Sequence, residues 1–499
     1  MSLTATDLIR LGVLGVSIAA LLLLTELLRR RMGWPDEVTR KIVHVATGVV
    51  IFFAPAFFPR AGAVILIAAV FVAVNAAAYA RGWLRAVHHS PRESYGTVYY
   101  PLALLLLAVP LWDSASGLVV TGVLVMALGD GAAGIVGESL RAPRMYHVTS
   151  DRKSIEGSAA MLAGSLIALL AGVLVHGDRS MEFTAQLADT PVLWFLAVFS
   201  VALFATAWEA ASSRGLDNLT VPLMSVLALH LCFASPGEAA AARFVTGTGL
   251  GLLVGLLAWK LRMLSVSGAV ATYLLAATLY GVGGWKWTLP VFAFFLLSSM
   301  LSKWRKARKE RFDTVFEKGG TRDAGQVAAN GALVGLLALA EYLFGGAHWY
   351  TLSLVAVASV TADTWGTELG VLARQHPRSI RNGRRVPAGT SGGITIAGSA
   401  GGALGAATVT ATAFLFVDLT ASTFLLITGL GVIGSLTDSL LGATVQAQYH
   451  CPLCRHDTEK RFHCGMPAKR TQGHRAMTND MVNLLSAAAA VLLGALLLA

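Results

Sequence analysis

Long apolar runs separated by short polar segments dominate the chain. Roughly sixteen of these runs approach the ~20 residues that a helix needs to cross a bilayer. The pattern predicts an all-α, polytopic integral membrane protein. The runs are centred near residues 18, 51, 70, 103, 126, 166, 201, 227, 250, 273, 294, 335, 359, 404, 431 and 490.

Lysine and arginine predict the orientation of these helices, because short loops rich in these residues stay on the cytoplasmic side. Of the 39 Lys and Arg residues, 34 fall in alternate loops and five in the loops between them. This asymmetry predicts that both chain termini lie outside the cytoplasm. The five residues on the opposite side are Arg10, Arg60, Arg179, Arg243 and Lys286.

The composition is that of a membrane protein and does not indicate nucleic-acid binding. Hydrophobic residues make up 55% of the chain and charged residues 13%, with a net charge of +11. Because the charge lies in short loops, it predicts attraction to anionic lipid and no nucleic-acid binding. No small-residue cleavage site precedes Arg29, which favours a retained first helix over a signal peptide. A bacterial-type inner membrane is the expected location.

Polar residues at the ends of the apolar runs occur in the same order in two halves of the chain. Arg40 and His44 begin one run of the first half, and Arg322 and Gln326 begin the corresponding run of the second. Each pair has i, i+4 spacing and therefore shares a helix face. Because each half has an even number of runs, the halves are predicted to be parallel, with both polar sets on the cytoplasmic side.

Both polar sets contain the groups that phosphoryl transfer requires. Carboxylates bind Mg²⁺, cations neutralise phosphate oxygens, and Gly-rich helix starts offer free backbone amides. The chain has neither a P-loop nor a kinase HRD segment, which excludes those two classes. The candidates in the first half are Arg40, His44, Asp130, Gly137, Lys153, Glu156, Gly157, Glu209, Asp217 and Asn218. Those in the second half are Arg322, Gln326, Asn330, Asp363, Arg384, Arg385, Ser391, Gly392, Gly393, Asp438, Asn479, Asp480 and Asn483.

Two groups of motifs resemble known membrane families. The segments RKIVHVATG, GDGAAGIVGESL, RKSIEGSAA and GLDNLTVP resemble the phytol kinase and dolichol kinase family of CTP-dependent lipid kinases. The segments FEKGGTRDAGQVAANG, ADTWGTELG, PAGTSGGIT, GSLTDSLLGATVQ and NDMVN resemble the DUF92 family, which includes the plant phytyl-phosphate kinase. The resemblance implies one membrane domain of each kind, over residues 1–237 and 238–499.

This resemblance implies two consecutive reactions in one fused chain. The first half would convert a prenyl alcohol of the phytol or geranylgeraniol type to its monophosphate, and the second half would form the diphosphate. Family membership implies CTP as donor, since spacing alone does not separate CTP from ATP, and it also implies Mg²⁺. The expected Mg²⁺ ligands are Asp130 and Asp217 in the first half, and Asp363 and Asp480 in the second.

The two reactions require different support from the protein. In the first half, Lys153 is expected to contact the donor phosphates, and His44 or Glu156 to accept the proton of the lipid hydroxyl. In the second half the acceptor is already an anionic phosphate, which needs positive charge and no base. Arg322 and the pair Arg384–Arg385 are the candidates. The segment PAGTSGG lacks a lysine, so backbone amides are expected to contribute there.

Other interpretations remain open at this point. Asp130, Asp363 and Asp438 could be helix-end residues paired with loop arginines, and His44 could be a packing residue. A cytidylyltransferase of the CDP-diacylglycerol synthase type would also use CTP and Mg²⁺, but its PGHGG-like and DRxD signatures are absent. A two-repeat transporter would need polar groups near the middle of the bilayer.

A cysteine- and histidine-rich loop at about residues 446–478 offers a separate metal site. It contains Cys451, Cys454, His463 and Cys464, and three thiols with one imidazole are typical of a closed, tetrahedral zinc site. The alternative is a polar loop with incidental thiols. Cys232 lies inside an apolar run and is predicted to be a small buried hydrophobe.

Overall fold

The computed structural model describes residues 5–33, 36–81, 94–180, 190–234, 238–304, 321–372 and 375–498. The chain forms two compact units, Met1–Thr248 and Gly249–Ala499. Most described residues are helical, as the apolar runs predict. In a bilayer every backbone polar group must be bonded within the protein, and a helix satisfies these groups locally.

Seven helices form the first unit among its described residues. The longest, α4, has 44 residues, and Ala115 interrupts its helical dihedral angles. The predicted spans centred near 103 and 126 are therefore two helical segments that meet at a kink. The helices are α1 (Ala5–Met32), α2 (Asp36–Phe57), α3 (Ala61–Arg81), α4 (Gly96–Ser139), α5 (Ile155–Ser180), α6 (Pro191–Ala211) and α7 (Asp217–Leu229), which continues as a π-helical turn, His230–Ala234.

The second half of α4 is the core of the first unit. α4 packs against α2, α3, α5 and α7. All residues from Leu118 to Ala127 are buried by these neighbours. Asp130 follows within three residues of this segment, so the packing places its carboxylate where several helices meet.

Helix α8 (Glu238–Lys260) includes the division between the units, and six further helices follow in the second unit. Helix α9 has 38 residues and bends at Gly284, where φ is 61°. It contains both predicted spans centred near 273 and 294. These helices are α9 (Val266–Lys303), α10 (Ala324–Phe344), α11 (His348–Leu372), α12 (Ile396–Ala411), α13 (Ala421–Thr444) and α14 (Asn479–Leu497), with a 3₁₀ turn at Thr412–Leu415.

Helix α11 has the central position in the second unit. It packs against α9, α10, α12, α13 and α14. Every residue from Leu352 to Ala362 is buried. Asp363 is the next residue, so in each unit a carboxylate follows the fully buried segment of the central helix.

Short strands occur in the connecting loops of both units. They have two to four residues each and pair as the hairpins β1–β2, β3–β4 and β7–β8 and as the three-stranded sheet β6–β5–β9. The all-α prediction therefore holds for the membrane helices and misses these small hairpins. The strands are β1 (Met145–His147), β2 (Arg152–Ser154), β3 (Arg378–Ser379), β4 (Gly393–Ile394), β5 (Gln448–His450), β6 (Asp457–Thr458), β7 (Phe462–His463), β8 (Met466–Pro467) and β9 (Lys469–Gln472).

The predicted number of sixteen spans is not confirmed. Among the described residues, eleven helices are long and apolar enough to cross a membrane, with α4 and α9 counted once each. Nevertheless, each of the sixteen predicted centres lies within a helix. The numbers differ partly because α4 and α9 each contain two helical segments joined at a kink, and partly because α12 has only 16 residues.

Candidate active sites

Three carboxylates converge in the first unit. Oxygens of Asp130, Glu209 and Asp217 all lie within 4.8 Å of one another. Asp130 lies in the C-terminal part of α4, Glu209 in the last turn of α6, and Asp217 is the first residue of α7. Glu209 is buried and the other two are partly buried. Such a group has the donor atoms and the spacing of a divalent-cation site.

Lys153 supplies the positive charge of this cluster. It lies in β2 opposite Tyr146 of β1, so the hairpin directs it into the unit. Its Nζ donates a hydrogen bond to Glu209 and lies 3.8 Å from Oδ2 of Asp217. Burial alone lowers the pKa of Lys153, but the attraction of Glu209 and Asp217 outweighs it, so the pKa is raised above its ordinary value. Lys153 therefore remains charged at neutral pH.

Asn218 orients the Asp217 carboxylate. Both its backbone N–H and its side-chain Nδ2 donate to Oδ1 of Asp217, each at 3.0 Å. Nδ2 also donates to the backbone oxygen of Gly215 at 3.2 Å. These bonds occupy Oδ1 and leave Oδ2 facing Lys153. The structure thus gives Asn218 a positioning contact beside the predicted carboxylate.

His44 lies beside Asp130. Its Nε2 is 3.8 Å from Oδ2 of Asp130 and makes no hydrogen bond within the described residues. The imidazole packs against the ring of Tyr100 with a centroid distance of 4.9 Å. Arg40 lies one helical turn before His44 and is exposed. The structure therefore brings His44 to the carboxylate cluster and leaves Arg40 at its edge.

Three other predicted residues of the first half make structural contacts. The two oxygens of Glu156 accept hydrogen bonds from the backbone N–H and the Nε of Arg144, both at 2.9 Å. A Cβ on Gly137 would lie 3.1 Å from Oγ of Ser154, and one on Gly157 would lie 2.8 Å from the same atom. These glycines allow α4 and α5 to approach closely. Their predicted role in nucleotide binding stays a prediction.

A cavity of about 380 Å³ in the second unit collects most of the predicted residues of that half. Its wall includes residues of the N-terminal turns of α10, α12 and α14, where the positive ends of the helix dipoles lie. Arg322 is the only Lys or Arg among the described residues that line it. The predicted residues in its wall are Arg322, Gln326, Asn330, Asp363, Ser391, Gly392, Gly393, Asp438, Asn479 and Asn483.

Asp438 is held from the neighbouring helix α14. With the amide of Asn483 oriented so that its nitrogen faces the carboxylate, Asn483 donates to Oδ2 of Asp438 at 2.8 Å. Ser486 donates to the same oxygen at 3.2 Å. Asp363 interacts electrostatically with Asp438. The NDMVN motif therefore contributes the amide that orients this carboxylate.

Arg322 is fixed by its backbone and by two aromatic rings. Its N–H donates to the backbone oxygen of Met263 at 3.0 Å, and its own oxygen accepts from Ser265 at 2.9 Å. The guanidinium lies 5.4 Å from the ring centre of Phe294 and 5.7 Å from that of Phe295. Burial lowers the pKa of Arg322.

Gln326, four residues after Arg322, forms a capping box with Asp323. Its backbone N–H donates to the Asp323 carboxylate at 3.0 Å, while its side-chain oxygen accepts from the Asp323 N–H. Of the two residues with i, i+4 spacing, Arg322 therefore brings charge to the cavity and Gln326 caps helix α10. The spacing alone did not distinguish these two roles.

The PAGTSGG segment forms a tight turn against α13. Gly392 has a φ of 78°, and a Cβ at this position would collide with Ala443 and lie 2.5 Å from the backbone oxygen of Ser439. Only glycine combines this dihedral angle with so close an approach. Ser391 and Gly393 line the cavity on either side of it.

Two parts of the second-half prediction differ from the structure. Arg384 and Arg385 are exposed in the loop between β3 and β4 and do not line the cavity. Asp480 lies in the first turn of α14 but also outside the cavity wall. Because side chains of successive helical residues point in different directions, Asn479 and Asn483 face the cavity and the intervening Asp480 does not.

The sequence missed two residues at these sites. Glu459, from the Cys/His loop, lines the cavity and accepts hydrogen bonds from Ser391 Oγ and Gln446 Nε2, both at 2.8 Å. Tyr146 faces Lys153 and shares a hydrogen bond with Ser158 at 2.6 Å. The turn residues Thr-Ser-Asp between β1 and β2 could have indicated that hairpin. No spacing pattern indicated Glu459.

The predicted zinc ligands also come together. One ligand atom from each of Cys451, Cys454, His463 and Cys464 lies within 4.8 Å of all the others. Nδ1 of His463 is 3.4 Å from the Cys454 sulfur and 3.2 Å from the Cys464 sulfur. Cys232 is buried in the first unit, where the sequence predicted a small hydrophobe.

Comparison with known proteins identifies the family. Residues 249–491 match the family model described as integral membrane protein DUF92. The chain is 30% identical over 269 residues to Protein PGR of Arabidopsis thaliana, a match that covers 92% of that protein and 49% of this chain. The chain belongs to the DUF92 family of integral membrane proteins.

The chain is also similar to a phytol kinase. It is 35% identical over 221 residues to the Synechocystis sp. phytol kinase. This match covers 89% of that protein and 44% of this chain. The chain is 30% identical over 195 residues to an uncharacterized membrane protein of Methanocaldococcus jannaschii, covering 78% of that protein and 38% of this chain. No solved structure matches. The resemblance to both families is confirmed, and the fusion of two halves stays a prediction.

Proposed function

We propose that this chain is a membrane lipid kinase that phosphorylates a prenyl alcohol of the phytol or geranylgeraniol type twice. The first unit forms the monophosphate, the second unit forms the diphosphate, and CTP is the donor in both reactions. The observation that carries the proposal is the convergence of Lys153 with Asp130, Glu209 and Asp217, in a chain 35% identical to a phytol kinase.

The carboxylate cluster of the first unit fits Mg²⁺. Three carboxylates converge on one ammonium, and this leaves excess negative charge in a poorly solvated site unless a cation offsets it. Asp130 and Asp217 are the residues that would hold the ion, since Glu209 is engaged by Lys153. Bound there, Mg²⁺ would supply charge neutralisation for the donor phosphates.

His44 is the base in the first reaction. The alcohol oxygen bonds to the terminal phosphorus of the donor, the bond from that phosphorus to the leaving nucleoside diphosphate breaks, and the hydroxyl proton passes to His44 Nε2. That nitrogen is buried without a hydrogen bond among the described residues, and Asp130, 3.8 Å away, stabilises the resulting imidazolium. Glu156 is less suited, because Arg144 occupies both of its oxygens.

The second unit suits an acceptor that is already anionic. Its cavity combines the Arg322 guanidinium with three helix N-termini, which together stabilise phosphate charge. Asp363 and Asp438 are the carboxylates in its wall that would hold Mg²⁺, in place of the predicted pair Asp363 and Asp480. No base is required, because a phosphate monoester is already ionised at neutral pH.

We place both sites on the cytoplasmic side of a bacterial-type inner membrane. The distribution of Lys and Arg supports this orientation, since 34 of the 39 lie in one set of alternate loops. The cytoplasm also supplies the nucleotide.

Mass spectrometry of the products tests the proposal. Purified protein in lipid nanodiscs would receive geranylgeraniol or phytol with Mg²⁺ and either CTP or ATP. Wild type should yield prenyl diphosphate, Asp130→Ala no monophosphate, and Asp363→Ala only monophosphate. Pyrophosphate release with a cytidylylated lipid would instead indicate a cytidylyltransferase. Failure of wild type to phosphorylate the alcohol or the monophosphate with any nucleotide would overturn the proposal.

A further inference from the structure

The Cys/His loop forms a small β-structure with little apolar core. Its strands β5 to β9 have two to four residues each, and few of its side chains are buried, among them Tyr449, Cys451 and Thr458. A fold of this size needs a further source of stability, typically a disulfide or a metal. Cys451, Cys454 and Cys464 are all free thiols, so no disulfide supplies it.

Cys451, Cys454, His463 and Cys464 have the donor atoms and the spacing that a tetrahedral zinc site requires. With Zn–N and Zn–S bonds of usual length, a nitrogen and a sulfur ligand lie about 3.5 Å apart. His463 Nδ1 lies 3.4 Å and 3.2 Å from the sulfurs of Cys454 and Cys464. Cys451 completes the group, with all ligand atoms within 4.8 Å. Four protein ligands would complete a tetrahedral site and leave no position for substrate.

The backbone around the ligands is strained in a way that a bound metal would offset. Arg455, next to Cys454, has a φ of 57°, and Cys464 itself has a φ of 52°. Side-chain-bearing residues in this region cost of the order of 1 kcal/mol each and persist only where other interactions hold them. Coordination of the flanking cysteines is such an interaction.

The same loop reaches the cavity of the second unit through Glu459. This residue follows β6 and lies between Cys454 and His463 in the chain. One carboxylate oxygen accepts hydrogen bonds from both Ser391 and Gln446 at 2.8 Å. Ser391 belongs to the tight turn at Gly392 and itself lines the cavity. The position of Glu459, and with it one wall of the cavity, therefore depends on the fold of the loop.

We propose that Cys451, Cys454, His463 and Cys464 bind one Zn²⁺, and that this metal holds Glu459 against Ser391 so that the loop supports the second cavity. Glu459 acts as a positioning residue in this arrangement. The metal site stands on its own geometry, whereas its effect on catalysis rests on the proposed function of the second unit.

Metal content tests the first part. Full-length protein in nanodiscs, purified without chelator, should contain about one zinc per chain by inductively coupled plasma mass spectrometry. Cys454→Ser and Cys464→Ser should lose most of it, and Cys232→Ala, which removes a thiol from the first unit, should keep it. Replacement by Co²⁺ should give the visible absorption of a tetrahedral thiolate site. Wild type without bound zinc, or equal zinc in all variants, would overturn the site.

Hydrogen exchange tests the link to the cavity without relying on activity. Removal of zinc should speed exchange in residues 446–478 and also in the turn around Ser391, and returned Zn²⁺ should restore protection. Glu459→Ala, which removes the oxygen that accepts from Ser391 and Gln446, should keep its zinc yet lose protection around Ser391. Unchanged exchange at Ser391 after zinc removal would overturn the link, even if the metal itself is confirmed.

Activity then separates this inference from the proposed function. Removal of zinc, or Glu459→Ala, should slow phosphorylation of the prenyl monophosphate by about tenfold or more, mainly through a higher KM. Formation of monophosphate from the alcohol should be unchanged in the same samples. A wild type that makes no diphosphate would refute the proposed second reaction, while metal content and hydrogen exchange would still decide the zinc site.

Discussion

Lys153 and Glu209 form a buried ion pair that joins strand β2 to the last turn of α6. The two residues are 56 positions apart in the sequence. Glu209 thereby fixes the ammonium beside Asp217, whose Oδ2 lies 3.8 Å from it. Glu209 thus neutralises Lys153, and the carboxylates of Asp130 and Asp217 remain available to a cation.

Lys153→Met should abolish formation of the monophosphate and also destabilise the protein. Removal of one partner leaves Glu209 buried without its counter-charge, which costs about 3–5 kcal/mol. The double variant Lys153→Met with Glu209→Gln should regain much of that stability but not the activity. Thermal unfolding in nanodiscs and product analysis together measure both effects.

Arg152→Ala is the matched control, because Arg152 precedes Lys153 in β2 but is exposed. It should leave both stability and turnover near the wild-type values. If the double variant recovers catalysis together with stability, Lys153 acts only in folding and not on the donor phosphates.

His44→Gln should slow the first reaction and spare the second. Loss of a positioned base usually lowers the rate of a proton-transfer step by about 10²–10⁴-fold. Because the base acts on the alcohol, phosphorylation of added prenyl monophosphate should continue unchanged. His147→Gln, at an exposed position in β1, is the control for loss of a histidine in the same unit. Equal rates in the two variants would make His44 a packing residue.

Arg322→Gln should weaken the second reaction, whereas Arg384→Gln should not. Arg322 lines the cavity with no other Lys or Arg among the described wall residues, and Arg384 is exposed outside it. Loss of a charge-assisted contact to phosphate should lower kcat/KM for the monophosphate by about 100-fold. An equally large fall of kcat/KM in Arg384→Gln would mean that Arg384 also contacts the phosphates, as the sequence predicted.

The helical fold was predictable because a membrane imposes one simple requirement on the chain. Each apolar run had to become a helix, and all sixteen predicted centres lie in helices. Two pairs of runs are joined by a kink at a single residue and not by a loop, Ala115 in α4 and Gly284 in α9. A hydropathy pattern does not contain that information.

The candidate sites were predictable where a polar residue ends an apolar run. Asp130, Asp217, Asp363 and Asp438 are costly in such places, and each lies in or beside a polar cluster. Residues in irregular loops were harder to assign. Arg384 and Glu459 both lie in polar segments, yet only Glu459 reaches the cavity, because the path of the loop decides this and local spacing does not.

Gly392→Ala should impair the second reaction far more than Gly383→Ala, although both glycines have positive φ, 78° and 69°. At Gly383 a Cβ meets nothing within 4 Å, so only backbone strain of about 1 kcal/mol is expected. At Gly392 a Cβ would also collide with Ala443 of α13, which forces the turn away from the helix and displaces Ser391 from Glu459. The comparison therefore separates close packing from dihedral strain.

Conversion of prenyl monophosphate to diphosphate, measured beside thermal unfolding, should fall at least tenfold further in Gly392→Ala than its stability loss alone explains. Equal behaviour of the two variants would mean that the approach of this turn to α13 has no part in the reaction.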